Sequence, residues 1–384
     1  MRLFGVQRWH WAFRSVAVFL CSCVLLPVGV AQPTLIWLGV PAGGADSVVR
    51  AVSADGRVVV GYSAAQVGGA LRAFRWTRAA GFEGLGTLGG NAGIAYAVSA
   101  AGTFVVGAAQ DASGSVRPVR WGSSGIEALG LPSGARGGIA YSVSADGSVI
   151  AGQTSYGGGV RRATLWTGTG AVQDLGVPTG SVFSIGVAIS ADGTTVAATV
   201  GVAPVGLRAA RWTAADGWQL IANDESIARG ISVDGSTIVG QAADADGNYI
   251  AFRWRAGSGI QLLGLPFGGD WSDALAASAD GAIVVGYART ADGSEVAARW
   301  IEGVGWQDLN AVYASLLSPG STLTRAAAIT PDGRFIAGFG FNADTGRTEG
   351  WLLDTVPEPS TLTALAAALA LSSLHRFAQR KLRR

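Results

Sequence analysis

A turn of the form Ser-x-Asp-Gly recurs seven times through the middle of the chain, and this repetition constrains the fold more than any other feature. Five copies are complete and two are degenerate. The turn glycines are spaced by 46, 45, 46, 42, 46 and 52 residues and are Gly56, Gly102, Gly147, Gly193, Gly235, Gly281 and Gly333. About 19 residues after each glycine comes a tryptophan: Trp76, Trp121, Trp166, Trp212, Trp254, Trp300 and Trp351. Two markers that keep phase seven times indicate seven copies of one structural unit.

Each unit contains four short apolar runs, which in the first copy are residues 48–53, 58–63, 73–77 and 81–88. Short runs separated by Asp-Gly and Gly-Gly predict strands joined by hairpins, because Asp caps its own turn and Gly accepts a positive φ. Four antiparallel strands in about 45 residues are typical of a propeller blade. The sequence therefore predicts an all-β, seven-bladed β-propeller of four-stranded blades over residues 32–355. A β-helix, whose repeat is much shorter, is the alternative.

The seventh unit lacks a fourth strand, because the chain runs from Trp351 through Asp354 directly into a different kind of sequence. The segment that would supply the missing strand is residues 35–41, which resembles residues 127–132 at the end of the second unit. We therefore expect the N-terminal strand to complete the last blade and so leave no open blade edge. Deletion of this strand is expected to lower the melting temperature sharply.

Residues 32–361 contain no Cys, His, Lys or Met; these residue types occur only as Cys21, Cys23, His10, His375, Lys381 and Met1. This excludes thiol nucleophiles, histidine bases, lysine Schiff bases, Cys/His zinc sites and disulfides from the repeat region. The same region carries 20 basic against 26 acidic residues, a net charge of −6. With no basic patch, we expect no nucleic-acid partner.

Residues 1–31 have the organisation of a secretory signal peptide. Arg2, Arg8 and Arg14 form a basic region, an apolar run covers residues 15–27, and Ala31 ends a stretch of small side chains suited to signal peptidase. We therefore expect export through the Sec machinery and a mature protein that begins near residue 32. An uncleaved membrane anchor is the alternative.

Residues 356–384 combine a helix-breaking motif, an apolar stretch and a basic end. Pro357-Glu358-Pro359 comes first, residues 362–374 are rich in Leu and Ala, and five basic residues follow. This arrangement is similar to the PEP-CTERM sorting signal of Gram-negative bacteria. The resemblance implies cleavage by an exosortase-type protease, transient anchoring in the inner membrane by a transmembrane helix, and a cell that makes an exopolysaccharide. The cell surface or extracellular space is then the expected location.

The repeats resemble the bacterial extracellular HAF repeat, which is named for a His-Ala-Phe segment before an aromatic residue. The corresponding segments here end at Trp76 and Trp254, as Arg72-Ala73-Phe74-Arg75-Trp76 and Ile250-Ala251-Phe252-Arg253-Trp254. The family's His is missing from every copy. The resemblance covers about residues 34–354 and implies a secreted or surface repeat protein without catalytic residues.

The repeated side chains are expected to have structural roles. Large aromatics in repeated blades wedge between neighbouring sheets, so we favour this role for the seven tryptophans over a ring of sugar-stacking platforms. Five of them follow an arginine, which we expect to pair with a repeat carboxylate. Asp244 and Asp246 are the best candidates for Ca²⁺, but they lack the later bidentate Glu that such a loop needs. We therefore expect no metal or cofactor.

A ligand site is expected where the repeats differ, in the connections between blades. The candidate residues combine aromatic rings with carboxylates, as sugar recognition requires, and are Phe267, Asp270, Trp271, Asp273 and Tyr313. The leading hypothesis is a non-catalytic binding or structural component associated with exopolysaccharide or biofilm matrix. One alternative is a glycan-active enzyme in which Glu225 pairs across the ring with Asp270 or Asp273 as acid and base. A protein–protein scaffold is a further alternative.

Overall fold

A computed structural model describes residues 32–356 apart from positions 67, 169, 204–205 and 223. The predicted signal peptide and the predicted sorting signal from Pro357 onward, including Glu358 and Pro359, lie outside the described residues. Within the described part of the chain, no helix has the length and apolar character needed to cross a bilayer. The predicted C-terminal span also lies outside it.

The first half of the described chain forms one separate strand and four blades. The separate strand is β1 (Thr34–Gly39). Blade 1 contains β2 (Val48–Val52), β3 (Val58–Ala64), β4 (Leu71–Thr77) and β5 (Gly81–Gly84). Blade 2 contains β6 (Gly89–Val98), β7 (Val105–Asp111), β8 (Val116–Gly122) and β9 (Gly125–Ala128), and blade 3 contains β10 (Gly137–Val143), β11 (Val149–Ser155), β12 (Arg161–Thr167) and β13 (Val172–Asp174). Blade 4 contains β14 (Ser181–Ile189), β15 (Thr195–Val202), β16 (Gly206–Thr213) and β17 (Gly217–Leu220).

The second half forms three further blades and the described helical turns. Blade 5 contains β18 (Ser226–Ile231), β19 (Thr237–Ala243), β20 (Tyr249–Arg255) and β21 (Gly259–Leu262). Blade 6 contains β22 (Gly268–Ala277), β23 (Ile283–Thr290), β24 (Glu295–Ile301) and β25 (Gly305–Asp308), and blade 7 contains β26 (Thr322–Ile329), β27 (Phe335–Asn342) and β28 (Arg347–Asp354). The helical turns are α1 (Leu309–Val312) and the 3-10 turns Gly157–Gly159 and Ala314–Leu316.

Each blade is an antiparallel meander, and the seven blades form a closed ring. The N-terminal strand β1 pairs with β28, with Thr34 opposite Asp354 and Trp37 opposite Trp351, so it supplies the fourth strand of blade 7. The first strand of every blade contacts the first strands of both neighbours, including β2 against β26 across the closure. The predicted seven-bladed fold and the closing role of the N-terminal strand are confirmed.

The repeated turn joins the first and second strands of each blade and also links neighbouring blades. In blade 3 the Ser144 hydroxyl donates to Asp146 Oδ1 at 2.7 Å and accepts from the Val149 amide at 3.0 Å. Gly147 has φ of +80°, and a Cβ there would overlap the ring of Phe104 in blade 2. The glycine therefore serves both the left-handed backbone and the close approach of two blades.

The hydrophobic core lies in the seams between blades. Each of the seven seams contains an apolar cluster with residues from both neighbouring blades. All seven repeat tryptophans lie on third strands and pack in the cluster shared with the preceding blade. Six are at most 7% exposed, and Trp212 is half-buried. These positions give the tryptophans the wedge role expected of large aromatics.

Every first strand carries a β-bulge three residues before the turn Ser or Thr. At this bulge one residue of the first strand has no partner in the register with the second strand, and we call these the bulge residues: Arg50, Tyr96, Tyr141, Val187, Arg229, Leu275 and Ala327. A bulge frees a residue from strand pairing and re-aims its side chain. Because the first strands are the innermost, the bulge residues lie next to the axis of the ring.

Candidate functional site

The meander places the connections between blades and the turns between second and third strands at one face of the ring, which we call the loop face. The Ser-x-Asp-Gly turns lie at the opposite face. Of the predicted ligand residues around position 270, only Phe267 precedes a strand, and its φ of +61° is in the left-handed region. Asp270, Trp271 and Asp273 belong to β22, so the expected loop is largely the first strand of blade 6.

Two aromatic side chains meet where blades 5 and 6 adjoin at the loop face. Tyr249, the first residue of β20, and Trp271 form a parallel backbone bridge, and their ring centroids are 5.2 Å apart. This bridge joins the two blades into one eight-stranded sheet. Both side chains are half-buried, so they present aromatic surface to solvent.

Charged groups flank this aromatic pair. The Arg289 guanidinium lies 5.2 Å from the Trp271 ring centroid and 3.6 Å from Asp270 Oδ1, and Asp270 is 73% exposed. On the other side, the Glu225 carboxylate raises the pKa of Tyr249 by its charge, with burial and a hydrogen bond between the two side chains adding to the effect. We call Glu225, Tyr249, Asp270, Trp271 and Arg289 the blade 5–6 cluster. Aromatic surface with a few polar groups at its edge is typical of ligand sites.

Asp273 does not belong to the surface of this cluster, which corrects its expected role as a ligand contact. Its side chain is 1% exposed, and Oδ2 accepts from Arg229 Nε at 3.2 Å. Burial raises the pKa of Asp273, whereas the charges of Arg229 and Arg325 oppose this rise. A buried carboxylate paired with an arginine from the neighbouring blade is a structural ion pair.

Tyr313 also lies elsewhere, in the core of the seam between blades 6 and 7. It is 6% exposed, packs with Leu309 and Trp351, and its hydroxyl accepts from Arg299 at 3.0 Å. The long connection that contains it is organised by α1, whose N-cap Asp308 accepts from the Asn310 amide. The expected ligand loop at this point is therefore packed against the core.

Glu225 and Asp270, the residues of the expected acid–base pair, do not lie opposite each other across the ring. Glu225 immediately precedes the first strand of blade 5, and Asp270 lies in the first strand of blade 6, so the two belong to neighbouring blades. They flank the same aromatic pair instead of facing each other across the ring, and Asp273 is sealed beneath. Sequence reasoning missed Tyr249 and Arg289, because only the bridge between blades 5 and 6 brings them to Trp271.

Asp244 caps a hairpin turn in the same blade as Tyr249. Its Oδ1 accepts from the amides of Asp246 at 2.9 Å and Asn248 at 2.8 Å, and Oδ2 accepts from the Asn248 side chain at 3.1 Å. Those hydrogen bonds hold the pKa of Asp244 below its usual value. Among the residues that the structure describes, no three His, Cys, Asp or Glu side chains cluster as a metal site would require.

The arginines that precede five of the tryptophans lie near polar partners. Four form ion pairs, Arg75 with Glu83, Arg120 with Glu127, Arg211 with Asp216 and Arg253 with Glu302. The fifth, Arg299, donates to Gln307 at 2.7 Å and to Tyr313. This regular pairing spreads the arginines around the ring and does not gather them into one anion site.

No protein-family model matches the chain, and no curated protein matches it at a significant level. Solved structures do, and they define the class of protein as a β-propeller. The β-propeller domain of the trilobed protease from Pyrococcus furiosus is 10% identical, with 82% of this chain and 99% of that chain covered and a TM-score of 0.56. That domain is described as having an open velcro topology, whereas β1 closes the ring here.

Two enzymes show the same fold. A manganese complex of oligogalacturonate lyase is 12% identical, with 84% of this chain and 93% of that chain covered and a TM-score of 0.54. A prolyl endopeptidase is 10% identical, with 86% of this chain covered and a TM-score of 0.55; the match spans about half of the endopeptidase, 51% of its length. Identities this low establish the common fold and leave function to be argued from the site.

Proposed function

We propose that this protein is an exported, non-catalytic binding propeller that holds an extracellular polysaccharide at the blade 5–6 cluster. The observation that carries the proposal is the contact between Tyr249 and Trp271, flanked by Glu225, Asp270 and Arg289. A sugar ring has an apolar face that packs on aromatic rings and a rim of hydroxyls that bonds to charged groups. The cluster offers both kinds of surface side by side.

The two ends of the sequence support export and sorting. The basic and apolar N-terminal segment suits the Sec machinery and signal peptidase, and Pro357-Glu358-Pro359 with its apolar stretch and basic end suits an exosortase-type protease. In this proposal a Gram-negative cell anchors the protein transiently in its inner membrane. It then displays the propeller at the surface or in an exopolysaccharide or biofilm matrix.

Binding of polysaccharide purified from the producing strain tests the proposal. Trp271→Ala is expected to weaken binding about tenfold or more, because loss of stacking and buried aromatic area amounts to ~1.5–3 kcal/mol. Trp271→Phe keeps a ring and is expected to retain most of the affinity. Leu262→Ala is the control, because it truncates an exposed apolar side chain in blade 5. The melting temperature of each variant checks that it is folded. Unchanged binding in Trp271→Ala would refute the assignment.

A glycan-active enzyme is the second candidate, since Glu225 and Asp270 flank one aromatic surface. If the site is catalytic, incubation with the polysaccharide releases shorter chains and Glu225→Gln abolishes that release while binding persists. If the site only binds, wild type and Glu225→Gln both leave the polysaccharide intact. Chromatography of the products distinguishes the two functions.

A further inference from the structure

Three bulge residues of consecutive blades form a continuous row beside the axis. The Arg50 guanidinium lies 5.8 Å from the Tyr96 ring centroid, and the Tyr96 and Tyr141 rings meet edge to face at 5.0 Å. Tyr62, on the second strand of blade 1, covers Arg50 from its own blade at 5.4 Å. One guanidinium and three tyrosines thus share a site that spans blades 1 to 3, away from the blade 5–6 cluster.

The polar groups of this row have no hydrogen-bond acceptor and no ion-pair partner among the described residues. The Arg50 guanidinium is exposed, makes no hydrogen bond there and has no carboxylate within 4.0 Å, whereas Arg229, the other bulge arginine, pairs with Asp273. Within the same part of the chain, no side-chain hydrogen bond forms at the hydroxyls of Tyr62, Tyr96 or Tyr141. Hydrogen-bond donors that lie on neighbouring side chains without protein acceptors indicate a place for a ligand that supplies acceptors.

The hydroxyls of Tyr96 and Tyr141 are suited to donate hydrogen bonds. Burial raises the pKa of Tyr96, and burial together with Tyr96 raises the pKa of Tyr141 to about 12. Both hydroxyls therefore keep their protons at neutral pH. The other groups that act on them are the cations Arg50 and Arg161 and the phenol of Tyr62, so the row has no negative charge of its own.

We propose that Arg50, Tyr62, Tyr96 and Tyr141 form an axial site for an acidic saccharide, a sugar ring that carries a carboxylate. The guanidinium pairs with the carboxylate, for which its planar fork is matched, and tyrosine rings pack on the apolar face of the sugar. The tyrosine hydroxyls donate to sugar oxygens. The repeat region has 26 acidic against 20 basic residues, so its net negative charge repels anions. Binding of an acidic saccharide therefore requires a local site such as this one.

Calorimetry with glucuronate tests the site on the protein recovered from a host that exports it. Glucuronate is expected to bind, glucose, its neutral counterpart, to bind at least tenfold more weakly, and acetate to bind more weakly than glucuronate. Equal affinity for glucose would overturn the role of the carboxylate, and equal affinity for acetate would overturn the role of the sugar. Absence of glucuronate binding would overturn the proposal as a whole.

Variants then assign the binding to the row. Arg50→Gln is expected to weaken glucuronate binding at least tenfold, and Tyr96→Phe, which keeps the ring, to weaken it severalfold. Arg78→Gln removes the same charge from an exposed turn at the outer edge of blade 1 and is expected to leave affinity unchanged. Trp271→Ala removes a ring of the blade 5–6 cluster and leaves the row intact. It is expected to keep glucuronate binding, which distinguishes the two sites. Equal affinity in Arg50→Gln and wild type, with both folded by melting temperature, would refute the site.

Discussion

The close approach of blades at the turn glycines predicts unequal effects for two equivalent substitutions. Gly147 and Gly114 both have φ of +80°, so alanine at either position meets the same left-handed strain of ~1–2 kcal/mol. A Cβ at Gly114 has no atom within 4 Å, whereas one at Gly147 overlaps the Phe104 ring of the preceding blade. Overpacking of this kind adds ~1–3 kcal/mol. Gly147→Ala is therefore expected to cost ~2–5 kcal/mol and Gly114→Ala ~1–2 kcal/mol.

Urea unfolding followed by tryptophan fluorescence measures this difference, because the repeat tryptophans lie in the seams. The double variant Gly147→Ala with Phe104→Ala tests the cause, since removing the ring makes room for the new methyl group. Its cost is expected to be smaller than the sum of the two single costs. Equal destabilisation by Gly147→Ala and Gly114→Ala would contradict the close approach of blades 2 and 3 at Gly147.

Two further predictions concern the closing strand and the repeated turns. Leu38→Ala is expected to destabilise the ring by ~2–5 kcal/mol, because Leu38 is buried in the seam between blades 7 and 1; the exposed Leu220→Ala should have little effect in the same melting assay. In acid, the Ser144 hydroxyl and the Ser148 amide and hydroxyl lower the pKa of Asp146 from 3.8 to about 2, so its stabilising charge is present above pH 4 and is lost as the pH falls toward 2. Ser144→Ala should make the melting temperature less dependent on pH in that window, and an unchanged slope would contradict this role.

The sequence was sufficient for the fold because its two markers each report one fixed place in a blade. The Ser-x-Asp-Gly turn marks the step from first to second strand, and the tryptophan marks the third strand. The incomplete seventh unit then required the N-terminal strand as its closure. Both markers recur seven times. A wrong strand assignment in one unit would therefore conflict with the assignments in the other six.

The site was harder to predict because it depends on contacts that occur once. The Gly268-Gly269 pair reads as a turn but belongs to β22, and this placed Asp273 in an expected loop when it lies buried in a strand. The partner that explains its burial, Arg229, is 44 residues away in the sequence and lies in another blade. Tyr313 is buried for a similar reason, since the helical turn before it packs on the seam.

One signal for the axial site is nevertheless present in the sequence. The third residue before each turn Ser or Thr varies from Arg to Tyr, Val, Leu and Ala, although the turn and tryptophan positions on either side are nearly constant. Seam positions are constant because each must fit two sheets at once. A bulge residue is released from pairing with the second strand, so strand pairing does not dictate its identity, although Val187 also packs on the cluster between blades 4 and 5. Released positions that neither pack in a seam nor pair with a buried charge are therefore places where binding residues can change without disturbing the ring, and Arg50, Tyr96 and Tyr141 occupy three bulge positions in succession.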